Sequence, residues 1–299
     1  MHWKKLGHIF HADNYAQTPT PLVMADQGRI RVYFGARDAA NKSFISFVDL
    51  DLDDSTKIIG YSDKPVLPRG PICSFDADGQ MPSFAMRSGE NVNLYYSGWS
   101  ALASGGYQNS IGVALSNDGG KTFRRGFDGP IMDRTNLEAY LAVTPCLSAD
   151  GGMFYISGIR WEEINGKPEP IYGICQATSR DGFRWERNGK LVIPQAHSRE
   201  CFSRPWVMKG NVDRHLWYCY RSAVDYRDGP GAYRIGYAVS TNGRNFVRQD
   251  SEAGIDVSSD GWDSTMICYP AVFEAKGKLY MLYNGATFGK HGFGLAVAQ

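Results

Sequence analysis

Short runs of alternating apolar and polar residues follow one another along the whole chain, separated by turns rich in Gly, Asn and Asp. This period of two predicts strands and essentially no helix. A proline leading an apolar run recurs five times, at Pro21 (TPTPLVM), Pro82 (GQMPSFAM), Pro145 (AVTPCLS), Pro205 (FSRPWVM) and Pro270 (ICYPAVF), with gaps of 61, 63, 60 and 65 residues. Repeats of this length assembled from short strands mark radial β architectures whose unit is a four-stranded blade.

Each unit can be followed strand by strand. The first strand starts at the proline, and the second ends in a Tyr-rich, Gly-punctuated segment such as Tyr33-Phe34-Gly35, Tyr95-Tyr96-Ser97-Gly98-Trp99 or Tyr155-Ile156-Ser157-Gly158. A third strand (111–116, 172–179 and 235–240) runs into a tight turn at Asn117-Asp118-Gly119-Gly120, Arg180-Asp181-Gly182 or Thr241-Asn242-Gly243. Glycine there supplies the positive φ of a short hairpin. A fourth, outer strand begins at Phe123, Trp185 or Phe246. The sequence stops on a third strand, Phe293-Gly294-Leu295-Ala296-Val297, whereas Trp3-Lys4-Lys5-Leu6-Gly7-His8-Ile9-Phe10 reads like an outer one. The expectation is an all-β, five-bladed β-propeller with four-stranded blades, a single domain over residues 1–299. Its N-terminal strand completes the last blade and removes a free sheet edge.

Composition narrows the partners. With 32 basic and 31 acidic side chains, net charge +1, and no basic stripe, neither nucleic acid nor an anionic membrane is an expected partner. No window approaches the roughly 20 apolar residues of a membrane span, and the first residues lack a signal-peptide apolar core. The six cysteines are scattered and never form a C-x-x-C pair, which reads as reduced thiols in a cytoplasmic protein. Seventeen Tyr and seven Trp suit strands, and also surfaces on which sugars stack.

In a four-stranded blade, the segments before the first strand and after the second share one face. That places Asp13, Asp78, Glu138, Glu200 and Asp263 around the mouth of a central funnel, walled by Arg37, Trp99, Arg160 and Arg221. Converging carboxylates push acid and base pKa values apart, as acid/base chemistry requires. The same acids also suit a structural role as turn formers or arginine partners. Arg37, Arg160, Arg199, Arg204 and Arg221 all fall on this face, where guanidinium forks pair either with the acids or with an anionic substrate. His197, three residues before Glu200, could assist either role. No metal is assigned and no cofactor is expected, although the acid ring could offer oxygens to calcium.

The five-fold repeat, the Glu200-Cys201 pair and the closing segment Gly261-Trp262-Asp263 to Tyr269-Pro270-Ala271-Val272 resemble the five-bladed propeller glycosidases of glycoside hydrolase families 43, 32 and 68, and family 130. Tyr96-Ser97-Gly98-Trp99 and the segment from Trp262 to Pro270 are also similar to uncharacterised glycosidase-like proteins encoded with bacterial surface-polysaccharide genes. By position, the resemblance implies Asp13 as base or nucleophile, Glu138 as the acid that tunes and orients, and Glu200 as general acid, with Asp78 and Asp263 as alternatives for the base. Asp78, Asp263, Arg37, Trp99, Arg160, Arg204 and Arg221 are the expected saccharide-binding residues. The expected function is a carbohydrate-active enzyme cleaving or transferring a glycosyl unit, with an anionic sugar or inorganic phosphate as the arginines' partner. Its alternative is a catalytically silent glycan-binding propeller, the better account where Asp13 points away from the funnel and no acid faces Glu200. A sialidase-like enzyme, on the Asp-box likeness of residues 116–123, and a protein-binding scaffold are further readings.

Overall fold

The computed structural model describes residues 1–227 and 229–299. β1 (Trp3–Phe10) is followed by β2 (Gln17–Met24), β3 (Arg29–Arg37), β4 (Ser43–Asp51) and β5 (Ile58–Ser62), and the last four pair in sequence order. The order repeats in β6 (Gly79–Ser88), β7 (Asn91–Leu102), β8 (Gly106–Ser116) and β9 (Arg124–Arg125). It repeats again in β10 (Ala142–Leu147), β11 (Gly152–Ile164), β12 (Lys167–Thr178) and β13 (Glu186–Leu191), and in β14 (Glu200–Lys209), β15 (Arg214–Ser222), β16 (Arg234–Ser240) and β17 (Val247–Arg248). The last run, β18 (Cys268–Ala275), β19 (Lys278–Asn284) and β20 (Phe293–Ala298), takes its outer strand from the start of the chain, because β1 pairs antiparallel with β20. A single parallel pair, Ser43 with Gly79, joins the first two runs into one sheet. Three short 3-10 turns are the helical elements among the described residues, and no helix is long and apolar enough to cross a membrane.

The first strands are neighbours in a cycle: β2 packs on β6, β6 on β10, β10 on β14, β14 on β18, and β18 on β2. Inner strands are buried on both faces, β14 along almost its whole length, whereas the outer β13 is largely exposed. The large apolar side chains therefore interleave between neighbouring runs. Phe10, Phe34 and Phe293 join β1, β3 and β20, and Trp3 meets Trp217 edge-on across two runs.

What recurs in three dimensions is a bulge in each first strand. The ladders shift register between Gln17 and Thr20, Pro82 and Phe84, Val143 and Cys146, Ser203 and Trp206, and Cys268 and Ala271. Four of the five bulges hold a residue at positive φ directly before a proline: Thr18 (51°), Thr144 (50°), Arg204 (51°) and Tyr269 (56°). This corrects the proline register read from sequence. Pro19, not Pro21, is the counterpart of Pro145, Pro205 and Pro270, and in the second run Pro82 itself takes the place held by the positive-φ residue elsewhere. A proline cannot donate to the ladder, so it is tolerated where a bulge has already broken pairing.

The turns on the opposite face fasten one run to the next. Ser116 donates to Asp118 (2.7 Å) and accepts from Gly120, while Asp118 accepts from the backbone of Lys121 and Thr122 and from the Thr122 hydroxyl (2.6 Å). Tyr33 of the preceding run donates to the Gly120 carbonyl (2.8 Å); Tyr95 does the same to Gly182, and Gln176 to Gly243. Burial works against the Asp118 charge, but the Thr122 and Ser116 hydrogen bonds outweigh it and hold the carboxyl at about 2, against an ordinary 3.8. The stabilisation is therefore complete above the ordinary value and lost as pH falls toward 2. Asp118→Ala should lower stability at neutral pH by about 1 kcal/mol, measured by denaturant unfolding. That gap should shrink as pH is lowered through the same interval, and a gap independent of pH would show that the carboxylate is not its source.

Candidate functional site

Four of the five runs carry a buried acid ahead of the first strand, or, for Glu200, at its first residue, tied to a basic side chain on the outer strand. Asp76 pairs with Arg125 (2.8 Å), Glu138 with Arg187 (2.9 Å), Glu200 with Arg248 (2.7 Å), and Asp263 with Lys5 (2.7 Å). A second-strand tyrosine completes three of them: Tyr96 donates to Asp76 (3.1 Å), Tyr155 to Glu138 (2.6 Å) and Tyr283 to Asp263 (3.1 Å). In the fourth run Arg248 grips both Glu200 oxygens, the Ala196 amide donates to the same carboxylate, and Tyr218 donates to Asp250, which also binds Arg248. Burial and the adjacent carboxylates raise the pKa values of Tyr96, Tyr155 and Tyr283, so these phenols remain protonated donors. The first run has no such tie. Phe34 stands where the others place tyrosine and packs with Phe10 and Tyr61.

The cyclic arrangement of first strands surrounds an axial cavity of about 520 Å³ to which all five runs contribute. Gln17, Val143 and Ser203, each at the start of a bulge, and Met81, one residue before the shift in β6, line it together with Thr18, Thr144 and Tyr269. Second strands add Arg37, Ser97, Trp99, Ile156 and Arg221, and the segment after β15 adds Tyr226 and Arg227. None of the described lining residues is Asp or Glu; the charged ones are three arginines.

Arg221 is the most enclosed of the three. It is 5% exposed, stacked 3.8 Å from the Tyr226 ring centre, and donates from Nε to the Tyr172 hydroxyl (3.1 Å). Tyr172 and Tyr233 share a hydrogen bond of 2.8 Å. Among the described residues the carboxylate paired with Arg221 is Glu169, 3.8 Å away, which also accepts from Tyr226 (3.1 Å). Burial opposes the charge on Arg221, yet the Tyr172 and Tyr233 phenols around it outweigh that and raise its pKa. On the opposite wall Arg37 reaches Gln17 and Asn41, and Trp99 donates to Ser43 (2.7 Å).

Of the residues expected at the funnel, Arg37, Trp99 and Arg221 line the cavity. Glu138, Glu200 and Asp263 are held in the buried ties, and Asp13 is exposed with no ion pair among the described residues. Asp78 pairs with Lys42 (2.9 Å) and accepts from the Ala101 amide; Asp76, two residues earlier, is the counterpart of the tied acids. Arg160 binds Glu162 (2.6 Å), as does Arg199 (2.8 Å), and His197 is exposed. Arg204 is not on the wall but fully buried beneath it. The basic partners were missed, although a signal existed. Each tie base stands two residues after an aromatic at the first residue of the outer strand or just before it: Trp3-Lys4-Lys5, Phe123-Arg124-Arg125, Trp185-Glu186-Arg187 and Phe246-Val247-Arg248.

No protein-family model matches the chain. It is 35% identical to the uncharacterized protein Rv1502 of Mycobacterium tuberculosis, over 100% of both chains. Among solved structures it is similar in fold to a glycoside hydrolase, at 14% identity and TM-score 0.74, covering 100% of this chain and 91% of the other. A thermostable family-43 glycoside hydrolase aligns at 17% identity and TM-score 0.67 over 94% and 87%. The likeness to family-43 propeller glycosidases expected from sequence is thus present in the fold.

Removing one member of a buried tie leaves the other charge uncompensated. Arg248→Met should destabilise the protein by about 3–5 kcal/mol, and Arg248→Met combined with Glu200→Gln should recover much of that loss. Denaturant unfolding of both variants checks this, and a single-variant cost as small as that of a surface pair would contradict the tie.

Proposed function

We propose that this chain, which belongs to the same family as the uncharacterized Mycobacterium tuberculosis protein Rv1502, is a single-domain five-bladed β-propeller that binds an anionic saccharide in its axial cavity. The observation that carries this reading is the charge of the lining: Arg37, Arg221 and Arg227, many tyrosines, Trp99, and no carboxylate among the described lining residues. Guanidinium forks suit a carboxylate or phosphate substituent, and the aromatic walls suit the apolar faces of a sugar ring. The six free cysteines, five of them buried, fit a reducing, cytoplasmic setting. Because arginines supply the positive charge, binding needs no metal and should survive a chelator.

Glycosyl cleavage or transfer is the second reading, favoured by the fold likeness. In it Glu200 is the general acid, with Glu138 and one of Asp13, Asp78 or Asp263 as its partners, and water or inorganic phosphate is the acceptor. It requires Glu200 to reach the ligand from its bidentate hold on Arg248. Against a panel of neutral and uronic aryl glycosides and sugar phosphates, with and without inorganic phosphate, we expect saturable binding of the acidic members without release of the aglycone. Glu200→Gln should bind as the wild type does, and Arg221→Ala should lose at least tenfold in affinity. Release that depends on Glu200 would replace binding by catalysis as the function, and its dependence on phosphate would separate a phosphorylase from a hydrolase.

A further inference from the structure

Behind the cavity lining lies a buried guanidinium, Arg204, with no carboxylate partner among the described residues and with the Trp206 ring 5.3 Å from its charge. Arg204 extends from β14 across the axis and donates to the Pro82 carbonyl (3.1 Å), the Pro19 carbonyl (3.0 Å) and the Thr20 hydroxyl (2.9 Å), on the first strands of two other runs. It is 1% exposed, and no carboxylate among the described residues lies within ion-pair distance. The titratable groups nearest it are Cys146, Cys219 and Tyr269. All three are neutral at pH 7, because burial pushes both thiols up to about 12 and the phenol well above its ordinary value. The same burial lowers Arg204 to about 10, which still leaves it protonated at neutral pH.

A purely structural clamp does not explain this choice of side chain. Two carbonyls and a hydroxyl can be met by a neutral amide, whereas a buried guanidinium without a carboxylate carries a desolvation cost that the Trp206 ring face offsets only in part. Unspent hydrogen-bonding capacity clusters at the same level. Arg204 Nε is buried without a partner, and so are the hydroxyls of Thr18 and Thr144. These three residues share the strained, positive-φ bulge position, and Thr18 and Thr144 also line the cavity directly above. Strain held at equivalent positions around one axis is a mark of a built site.

We propose that this floor is an oxyanion subsite: the ring of Thr18, Thr144 and Arg204 receives the carboxylate or phosphate group of the ligand and turns it toward the axis, leaving the sugar ring against Trp99 and the tyrosines. The subsite rests on the binding reading above for its saccharide, but not for its charge selectivity. Inorganic phosphate and a uronic acid share the chemistry that the floor would recognise, and testing both separates a free anion from a sugar-borne one.

The experiment is calorimetric titration of the full chain with glucuronate, glucose and inorganic phosphate, in the wild type, in Arg204→Met and in Thr18→Val/Thr144→Val. The wild type should prefer glucuronate to glucose by at least tenfold. Arg204→Met should abolish that preference without weakening glucose, and the double valine variant, which keeps side-chain volume, should reduce it severalfold. If Arg204→Met does not fold, the double variant alone decides. A preference that persists in the variants overturns the floor subsite and leaves the wall arginines as the source of selectivity. Equal binding of glucuronate and glucose by the wild type overturns both proposals. Binding of phosphate but of neither sugar, lost in the variants, overturns the saccharide reading while supporting the floor.

Discussion

The interaction on which the rest depends is the buried tie between the acid before or at the start of the first strand and the base on the outer strand of the same run. It fixes where the chain enters the sheet and clamps a short outer strand that has little pairing of its own: β9 and β17 are two residues long, and each contains the arginine of its tie. In the last run the base is Lys5, so the tie that elsewhere braces one segment here joins the two ends of the chain. It does so beside the β1–β20 pairing that removes a free edge. The first run dispenses with the device and uses aromatic packing of Phe10, Phe34 and Tyr61, which shows that the position demands a filled, satisfied contact rather than a charge.

The ties also have an electrostatic consequence. They pair Asp76, Glu138, Glu200 and Asp263 with basic side chains of the outer strands, and none of these four acids lines the cavity. Among the described residues the cavity is lined by guanidinium groups, phenols, amides and hydroxyls together with apolar side chains such as Met81, Val143 and Ile156. A concave site of one sign, with low-dielectric walls, concentrates ligands of the opposite sign and raises their encounter rate.

Much of the fold was legible because it rests on period. The alternation of apolar residues, the Asp-Gly turns and the outer-strand character of residues 3–10 each follow from local rules, and the β1–β20 pairing answers the last of them directly. The site was less legible, for a physical reason. A carboxylate ahead of a strand looks the same in sequence whether it faces an axis or an arginine, and only the position of that arginine, some fifty residues further on, separates the two cases; Glu138 with Arg187 is one instance. Bulges added a second obstacle. One extra residue reverses which side chains face inward, so the proline register slipped in the first two runs and Arg204, expected on the wall, is found under the floor.

A shared fold does not by itself assign function, which rests on the residues of the site. The chain is similar in fold to glycoside hydrolases at identities of 14% and 17%. A mechanism built on two carboxylates needs both within reach of one bond. Here two of the expected acids are paired with arginines and the third is exposed. The bulge positions carry threonine, proline, threonine, arginine and tyrosine in the five runs, and of these Thr18, Thr144 and Tyr269 line the cavity. A scaffold that positions five equivalent side chains around a single point can hold an anion or make and break a bond, and the identity of those five residues decides which.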